Sequence, residues 1–270
     1  METGADVTVA GIPVPIEEAS SFGIIERGST TKIEGFAEKP ADPKPLPNDP
    51  TMAYASMGNY VFSADALVQM VSEDAELEDS AHDLGGNIIT RAVERGVAHV
   101  YDFSDNELPG ATDRDKGYWR DVGTIKSYYE AQMDLVEPEP IFNLYNSDWP
   151  IFTDVRPYPP TKLLASGQFG PASVTNAVLA NGVIVTGAHI HRSVLHTRSR
   201  VEGGATISGS VLFDRVQVGE GAVIRNAIID KGVVIPPGYQ VGVDPEKDAE
   251  RWTVTEEGIV VIPKNATISP

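Results

Sequence analysis

Aliphatic residues between positions 178 and 241 recur at intervals of 6, 6 and 5, and this spacing constrains the fold more than any other feature. Each full period is 17 residues long, and no position in the series is missed. A short period with one apolar position per hexad predicts a parallel β-helix of about four coils, whose repeated residues share one core. The predicted core positions are Val178, Ile184, Ile190, Leu195, Val201, Ile207, Leu212, Val218, Ile224, Ile229, Ile235 and Val241.

The residues that follow these positions support the same fold. Three residues after a core position, the chain has a residue type that accepts a positive φ at a corner. These predicted corner residues are Asn181, Gly187, Gly204, Gly221, Gly232 and Gly238. Helices built from hexads are usually left-handed, an exception to the right-handed habit of parallel crossovers. We therefore expect a left-handed parallel β-helix of hexapeptide repeats.

Residues 1–136 alternate between strand patterns and helix patterns, which predicts an α/β domain. Predicted strands cover 6–9, 23–26, 31–36, 53–62 and 97–103, and predicted helices cover 64–73, 87–95 and 124–136. Repeated prolines deny helix to residues 137–171, which we interpret as a packed linker. Residues 172–270 are predicted to form the β-helix and a closing segment, with a charged turn at 244–251 and a strand at 258–262.

Composition excludes several classes of function. Cysteine is absent, which removes disulfides, thiolate metal sites and cysteine catalysis and fits a cytoplasmic protein. The net charge of -18 argues against a nucleic-acid partner, because such binding depends on clustered Lys and Arg. No apolar run approaches the length of a membrane span, and no charged-then-apolar leader opens the chain, so we expect neither a membrane partner nor secretion.

One short segment joins an acid and a base at the end of a predicted strand. Glu38 and Lys39 lie in the run Gly-Phe-Ala-Glu-Lys-Pro, and neighbouring residues on a strand point to opposite faces. One of the two can therefore enter a pocket while the other faces away. Lysine is a compact point charge that suits a sugar phosphate. Alone, the hexapeptide fits a solvated strand end better than a site.

Further segments follow this one in a fixed order, at residues 56–62, 80–85, 118–124, 144–150, 256–261 and 264–268. Each is a weak motif alone. The ordered set resembles the sugar-nucleotide pyrophosphorylases, and most closely the glucose-1-phosphate adenylyltransferases (ADP-glucose pyrophosphorylases), over essentially the whole chain. The resemblance implies a Rossmann-like nucleotidyltransferase domain followed by a left-handed β-helix. It also implies adenylyl transfer from ATP to α-D-glucose 1-phosphate, giving ADP-glucose and pyrophosphate for glycogen synthesis.

The resemblance also implies roles for individual residues. Lys39 matches the lysine that holds the sugar phosphate, and Asp121 matches an aspartate that helps to hold the catalytic Mg²⁺. We therefore take Lys39 and Asp121 as the candidate catalytic residues. The substrate contacts that the resemblance implies are Gly23, Glu38, Lys39, Ser56, Tyr60 and Asp83. Lys264 and Arg225 match positions that bind anionic metabolite effectors, and the full-length family members are expected to be homotetramers.

The chain departs from the family pattern at its beginning. The family's glycine-rich nucleotide loop and its first magnesium aspartate have no match here, so we expect the chain to correspond to the C-terminal two-thirds of an enzyme. We therefore expect the sugar-phosphate half of the site without the ATP half, and no adenylyl transfer by this chain alone. Residues 86–87 and Thr90 also differ from the family pattern, which weakens the match of Asp83.

Three alternative functions remain open from the sequence. A mannose-1-phosphate guanylyltransferase would have the same fold and a different base. A non-catalytic β-helix that serves assembly or regulation is favoured by the unmatched nucleotide loop. A hexad-repeat acyltransferase would use a histidine as base and bind acyl-coenzyme A, and the candidates are His189, His191 and His196. Surface histidines on short strands are the simpler interpretation of those three residues.

Overall fold

The computed structural model describes residues 4–153 and 156–268. Packing divides the chain into two compact units, Met1–Leu108 and Pro109–Pro270. Within the described residues, no helix is both long enough and apolar enough to cross a membrane.

The first unit contains one six-stranded sheet. Its strands are β1 (Val7–Pro15), β2 (Gly23–Arg27), β3 (Ile33–Glu38), β4 (Pro45–Leu46), β5 (Asp49–Phe62) and β6 (Ala98–Asp102). The strand order is β3-β2-β5-β1-β6, with β4 paired to β5. Strand β1 pairs antiparallel with β5 and parallel with β6. Each predicted strand is found in this sheet, and β1 and β5 extend beyond the predicted limits.

Helical segments cover one part of this unit. Helix α1 spans Ala64–Ala75, and α2 spans Thr90–Glu94. The predicted helix at 87–95 begins instead as a π-helix, Leu84–Ile89, which runs directly into α2. Short 3₁₀ turns occupy Ala19–Ser21 and Phe103–Asp105. The helices pack on the sheet through a core that includes the buried residues Val7, Val9, Ile25, Ile33, Met70, Ile89 and Val100.

The second unit begins with a loop and helix α3, Ile125–Asp134. Thr124 caps this helix through a reciprocal capping box with Ser127, as the sequence predicted for Thr124. The Tyr129 hydroxyl donates a 2.7 Å hydrogen bond to the carbonyl of Gly209 in the β-helix. Because α3 packs on the β-helix, the compact units divide earlier than the boundary predicted after residue 136.

The rest of the second unit is a parallel β-helix with a short helical insertion. Its strands are β7 (Lys162–Leu164), β8 (Ser173–Leu179), β9 (Ile184–Thr186), β10 (His189–Leu195), β11 (Arg200–Val201), β12 (Thr206–Ser208), β13 (Val211–Leu212), β14 (Gln217–Val218), β15 (Val223–Arg225), β16 (Ala227–Ile229), β17 (Val234–Ile235), β18 (Gln240–Val241), β19 (Thr253–Val254) and β20 (Val260–Ile262). The coil-to-coil pairings of the described strands are parallel, whereas β19 and β20 pair antiparallel. Helix α4, Pro245–Ala249, occupies the segment predicted as a charged turn.

Ten of the twelve predicted core positions are buried, from Ile190 onward, and the first two are wrong. Leu195 pairs with Leu179 rather than with Val178, and Val201 pairs with Val185 rather than with Ile184. The first coil is therefore one residue shorter than the 17-residue repeat. The positive φ predicted at Asn181 falls accordingly on the next residue, Gly182.

The missing residue belongs to the corner after β9. After the paired residues Val185 and Val201, the shorter coil has Thr186 and Gly187 where the next coil has Glu202, Gly203 and Gly204. The Gly204 amide donates to the Gly187 carbonyl. Phe169 covers the neighbouring corner. A Cβ placed on Gly203 would lie 2.5 Å from the Phe169 ring, so only glycine leaves room for it.

The β-helix also begins earlier than predicted. Strand β7 lies inside the predicted linker 137–171, yet it pairs in parallel with β9. A tight hairpin follows β7, closed by paired backbone hydrogen bonds of 2.7 and 2.9 Å between Ser166 and Gly170. This hairpin lengthens the connection between β7 and β9 beyond one repeat. The hexad spacing therefore could not reveal β7.

Candidate functional site

Two strand ends meet in the first unit and set the position of Glu38. Gly23 opens β2 and pairs in antiparallel register with Glu38, the last residue of β3. A Cβ on Gly23 would lie 2.5 Å from the Phe36 ring and 2.8 Å from Glu38 Oε2. Glycine at this position therefore lets the Glu38 carboxylate lie directly over the backbone of β2.

Lys39 follows Glu38 but does not continue the strand. Its φ is +46°, a left-handed conformation that is uncommon outside glycine, and its amide donates a 3.0 Å hydrogen bond to the Phe22 carbonyl. The Lys39 Nζ lies 3.9 Å from Glu38 Oε1. The expectation that these two side chains face apart is wrong, because the left-handed residue ends the strand alternation and brings acid and base together.

Ser56 and Tyr60 lie on β5, and Tyr60 interacts electrostatically with the same carboxylate. Ser56 is buried, its hydroxyl accepts a 3.3 Å hydrogen bond from the Gly58 amide, and it donates to the Tyr60 hydroxyl at 3.5 Å. Burial raises the pKa of Tyr60, the hydrogen bond with Ser56 opposes this shift, and the charges of Glu38 and Asp83 add to it. The phenol therefore lies within the electrostatic field of both carboxylates.

Asp83 begins the π-helix on the other side of Glu38. Its Oδ1 accepts a 2.6 Å hydrogen bond from the Gly86 amide, and its own amide donates to Asn87 Oδ1 at 3.1 Å. A Cβ on Gly85 would lie 2.9 Å from Glu38 Oε2. The residues that differ from the family pattern at 86 and 87 thus bond directly to Asp83. The other five predicted substrate residues are thus gathered near Glu38, Ser56 through its hydrogen bond with Tyr60.

Asp121 belongs to the second unit and lies in the loop before α3. Its side chain is exposed, and its Oδ2 accepts a 3.1 Å hydrogen bond from the Gly123 amide. Across the described ranges, no three residues among His, Asp and Glu gather as a metal site. Asp121 can therefore supply one oxygen ligand to a hard cation, and the remaining ligands would have to come from water and phosphate.

The two predicted effector residues do not lie together. Strands β16 and β20 pair from Ala227 opposite Val260 to Ile229 opposite Ile262. Arg225 precedes the first end of this pair, whereas Lys264 follows the other end. At that second end, Lys231 follows β16 by two residues, as Lys264 follows β20. Both lysines are exposed, and the Lys231 ammonium lies 6.0 Å from the centre of the Phe213 ring.

The three histidines of the β-helix form no common site. His189 and His191 are exposed on β10, and His191 Nδ1 lies 2.9 Å from the Thr175 hydroxyl. His196 instead stacks on Phe213 with ring centres 4.9 Å apart, and burial lowers its pKa. Nothing in this arrangement favours an acyltransferase base.

The first unit and α3 match one known family over half of the chain. Residues 1–137 match the family described as nucleotidyl transferase. This chain belongs to the nucleotidyl transferase family. Residues 159–262 match a second family, described as the GlmU-like C-terminal hexapeptide region, which agrees with the parallel coils of the β-helix. The combination of nucleotidyltransferase fold and hexapeptide β-helix is the fold class that the sequence predicted.

Similar proteins carry a consistent name. The glucose-1-phosphate adenylyltransferase of Acidothermus cellulolyticus is 53% identical over 275 residues, covering 99% of this chain and 66% of its own length. The enzyme of that name from Frankia casuarinae is 50% identical over 271 residues, covering 100% of this chain and 66% of its own length. The one from Corynebacterium efficiens is 52% identical, with 99% and 64% covered. This member of the nucleotidyl transferase family thus spans just under two thirds of these relatives.

Proposed function

We propose that this chain carries the sugar-phosphate side of a glucose-1-phosphate adenylyltransferase. The reaction is adenylyl transfer from ATP to α-D-glucose 1-phosphate, giving ADP-glucose and pyrophosphate for α-glucan synthesis. The observation that carries the proposal is the convergence of Gly23, Lys39, Ser56, Tyr60 and Asp83 around the Glu38 carboxylate. The shared name of the relatives supports the choice of glucose 1-phosphate and ATP as substrates.

The chemistry needs positioning and charge more than a covalent nucleophile. A sugar phosphate attacks the α-phosphorus of ATP, so two anions must be held close together. Lys39 supplies a mobile positive charge for the sugar phosphate, since most of its side chain is solvent-exposed. Glu38 can accept hydrogen bonds from sugar hydroxyls, and the buried Ser56 hydroxyl fixes the Tyr60 phenol beside them.

Magnesium belongs to this proposal as the cofactor. When bound, Mg²⁺ would neutralise phosphate charge during the transfer. Asp121 is the residue that would hold it, because an exposed carboxylate with one oxygen free of the Gly123 amide suits a hard cation. One carboxylate is compatible with magnesium, which keeps several water and phosphate ligands.

Regulation and assembly are also proposals. We place an anionic metabolite effector at Lys264 together with Lys231, because the two exposed lysines follow β20 and β16 at the same end of that parallel pairing. Arg225 lies at the other end of that pairing, so it is a weaker candidate. A homotetramer and a cytoplasmic location follow from the family resemblance and from the use of ATP.

Binding of glucose 1-phosphate to the 270-residue chain tests the sugar-phosphate site. We expect saturable binding by isothermal titration calorimetry, with mannose 1-phosphate, the guanylyltransferase substrate, binding more weakly. Lys39→Gln should weaken the binding of glucose 1-phosphate by about tenfold to a hundredfold, because a charged hydrogen bond contributes about 1.5–3 kcal/mol.

Lys44→Gln is the matched control. Lys44 is equally exposed on the following loop and pairs with Glu26 at 2.5 Å. The Lys44→Gln variant should bind glucose 1-phosphate as tightly as the unchanged chain does. Equal losses in the two variants would indicate general charge attraction rather than a site at Lys39. No binding by the unchanged chain would favour a non-catalytic β-helix protein.

A further inference from the structure

One buried carboxylate lies behind the wall of the proposed sugar-phosphate site. Asp74, in the last turn of α1, is only 3% exposed. Its Oδ1 accepts hydrogen bonds from the Ser80 hydroxyl at 2.7 Å and from Arg91, and its Oδ2 lies 2.9 Å from His82 Nδ1. An ionised carboxylate can only accept hydrogen bonds, so the His82 Nδ1–H donates to Asp74.

These three donors flank one segment of chain. Ser80 and His82 lie three residues and one residue before Asp83, and Arg91 lies on α2 just after the π-helix that Asp83 begins. The Ser80 hydroxyl also accepts a 3.1 Å hydrogen bond from the His82 amide. Asp74 therefore fastens both ends of the segment that carries Asp83.

His82 shows that the segment is held in a specific shape. Its φ is +56°, a left-handed conformation that a non-glycine residue adopts at a cost of about 1–2 kcal/mol. The left-handed turn directs the chain from the Asp74 carboxylate to Asp83. A strained backbone conformation such as this one persists only where the surrounding contacts hold it.

We propose that Asp74 is a positioning residue for the sugar-phosphate site. Through His82 and Ser80 it fixes the turn from Asp83 to Gly86, the wall that contacts Glu38. Buried beneath that turn, Asp74 does not touch substrate. This inference rests on the proposed function, because the wall matters for binding only where glucose 1-phosphate enters beside Glu38.

A purely structural role would not need this arrangement. Burying a carboxylate is unfavourable unless every oxygen is well bonded, and well-packed apolar residues often stabilise a fold as much as a buried ion pair does. Here the bonds go to the two flanks of the turn at Asp83.

The test uses a series of variants in the 270-residue chain. Asp74→Asn replaces one accepting oxygen with a donor, so it cannot satisfy Arg91, Ser80 and His82 together. His82→Ala removes the donor and keeps the strained backbone. His82→Asn retains an N–H donor near the Nδ1 position, and asparagine tolerates a left-handed φ.

Glu73→Gln is the matched control for α1. Glu73 is the neighbour of Asp74 and forms an exposed ion pair with Arg95 at 2.5 Å, so it joins α1 to the end of α2. It reports what the loss of an ordinary surface ion pair does to the chain.

Two readouts separate the inference from the proposed function. By calorimetry, we expect Asp74→Asn and His82→Ala to weaken glucose 1-phosphate binding about tenfold, since small misplacements near a site have large effects. His82→Asn should restore most of the affinity, and Glu73→Gln should leave it unchanged. By NMR hydrogen exchange without ligand, the Gly86 amide, which bonds to Asp83, should exchange faster only in Asp74→Asn and His82→Ala.

The outcomes differ for the two ideas. If the Gly86 amide responds as expected while even the unchanged chain binds no glucose 1-phosphate, the proposed function fails and the sugar-site role of Asp74 fails with it. If the unchanged chain binds but Asp74→Asn binds equally well, the proposed function survives and the positioning role is wrong. Equal losses in Glu73→Gln and Asp74→Asn would also overturn the inference, because stability alone would then explain both.

Discussion

At the scale of single residues, Gly23 is where the smallest change reaches the site. One added methyl group in Gly23→Ala would meet the Phe36 ring at 2.5 Å and Glu38 Oε2 at 2.8 Å, so both side chains must move. We expect glucose 1-phosphate affinity to fall about tenfold or more, because the carboxylate loses its place. Calorimetric titration of the Gly23→Ala variant with glucose 1-phosphate checks this expectation.

Gly117→Ala provides the comparison for Gly23→Ala. A Cβ on Gly117 meets nothing within 4 Å, so its effect is limited to the backbone strain of a φ of +66°. Binding by this variant should match that of the unchanged chain. If Gly23→Ala binds equally well, Glu38 does not need its position over β2.

His196 should make stability depend on pH. Burial lowers its pKa, the Asp214 charge opposes this shift, and the Lys231 charge adds to it. A histidine in the unfolded chain has a pKa of about 6.5. The unfolded chain therefore protonates His196 more readily than the folded chain does. The contribution of His196 to the free energy of unfolding is therefore fully present above about pH 6.5. It is lost as the pH falls towards and through the lower pKa of His196 in the folded chain.

Urea unfolding at about pH 7.5 and about pH 5.5 measures this loss. His196→Phe keeps a ring on Phe213 but cannot be protonated, so the free energy of unfolding should fall less between the two pH values. His189→Gln, at an exposed position of β10, should behave as the unchanged chain does. An equal pH dependence in His196→Phe would assign the effect to other groups.

At the same scale, sequence reasoning found the residues with distinctive motifs and missed those defined by packing. Glu38 and Lys39 stand in a recognisable segment. Asp74 follows Glu73 in an acidic stretch of α1 and looks like an ordinary surface residue. The burial of Asp74 and its bonds to Ser80, His82 and Arg91 appear only in the tertiary structure. No local pattern carries that information.

At the scale of elements, the interior of the β-helix is the most sensitive region. Ile207 is fully buried on β12 between Ile190 and Ile224 of the neighbouring coils. Ile207→Asp would place an unpaired carboxylate among apolar side chains, which should lower the free energy of unfolding by about 3 kcal/mol or more. Thermal and urea unfolding measure this change.

Gln217→Asp introduces the same charge on the outside of a neighbouring coil. Gln217 is exposed on β14, next to the buried Val218. Its effect should remain within about 0.5 kcal/mol. Similar losses in Ile207→Asp and Gln217→Asp would contradict the inward orientation of Ile207.

The period of the sequence predicted the coils but not their first register. Around the first coil, Val183, Ile184 and Val185 are all aliphatic, as are Val178 and Leu179. Either neighbour can satisfy an apolar pattern, so the spacing alone could not locate the shorter corner. Phe169 packs over the Gly203–Gly204 corner, a contact between residues distant in sequence that the spacing does not contain. The strands of the first unit, with clearer boundaries, were predicted well.

At the scale of the whole molecule, the two units have separate cores and should differ in stability. The β-helix core runs without interruption through its coils, and each coil is bonded to the next. Hydrogen exchange read by mass spectrometry should show slower exchange in β10–β16 than in β1–β6, because stacked repeats open only with their neighbours. Equal protection in the two sets of strands would indicate that the chain opens as one unit.

The short first coil also decides how the stack can assemble. In a series of equal coils, a shift by one whole coil preserves most apolar contacts, so a repeat protein is exposed to misaligned pairing during folding. Among the described coils from β8 to β18, the step between Val174 and Ile190 is 16 residues and the later steps are 17, and the ring of Phe169 lies at the end with the short step. A chain displaced by one coil would put a three-residue corner where a two-residue corner belongs. The Phe169 ring would then no longer pack against Gly203 and Gly204. The short corner after β9 therefore distinguishes the correct alignment of the coils from one displaced by a whole coil.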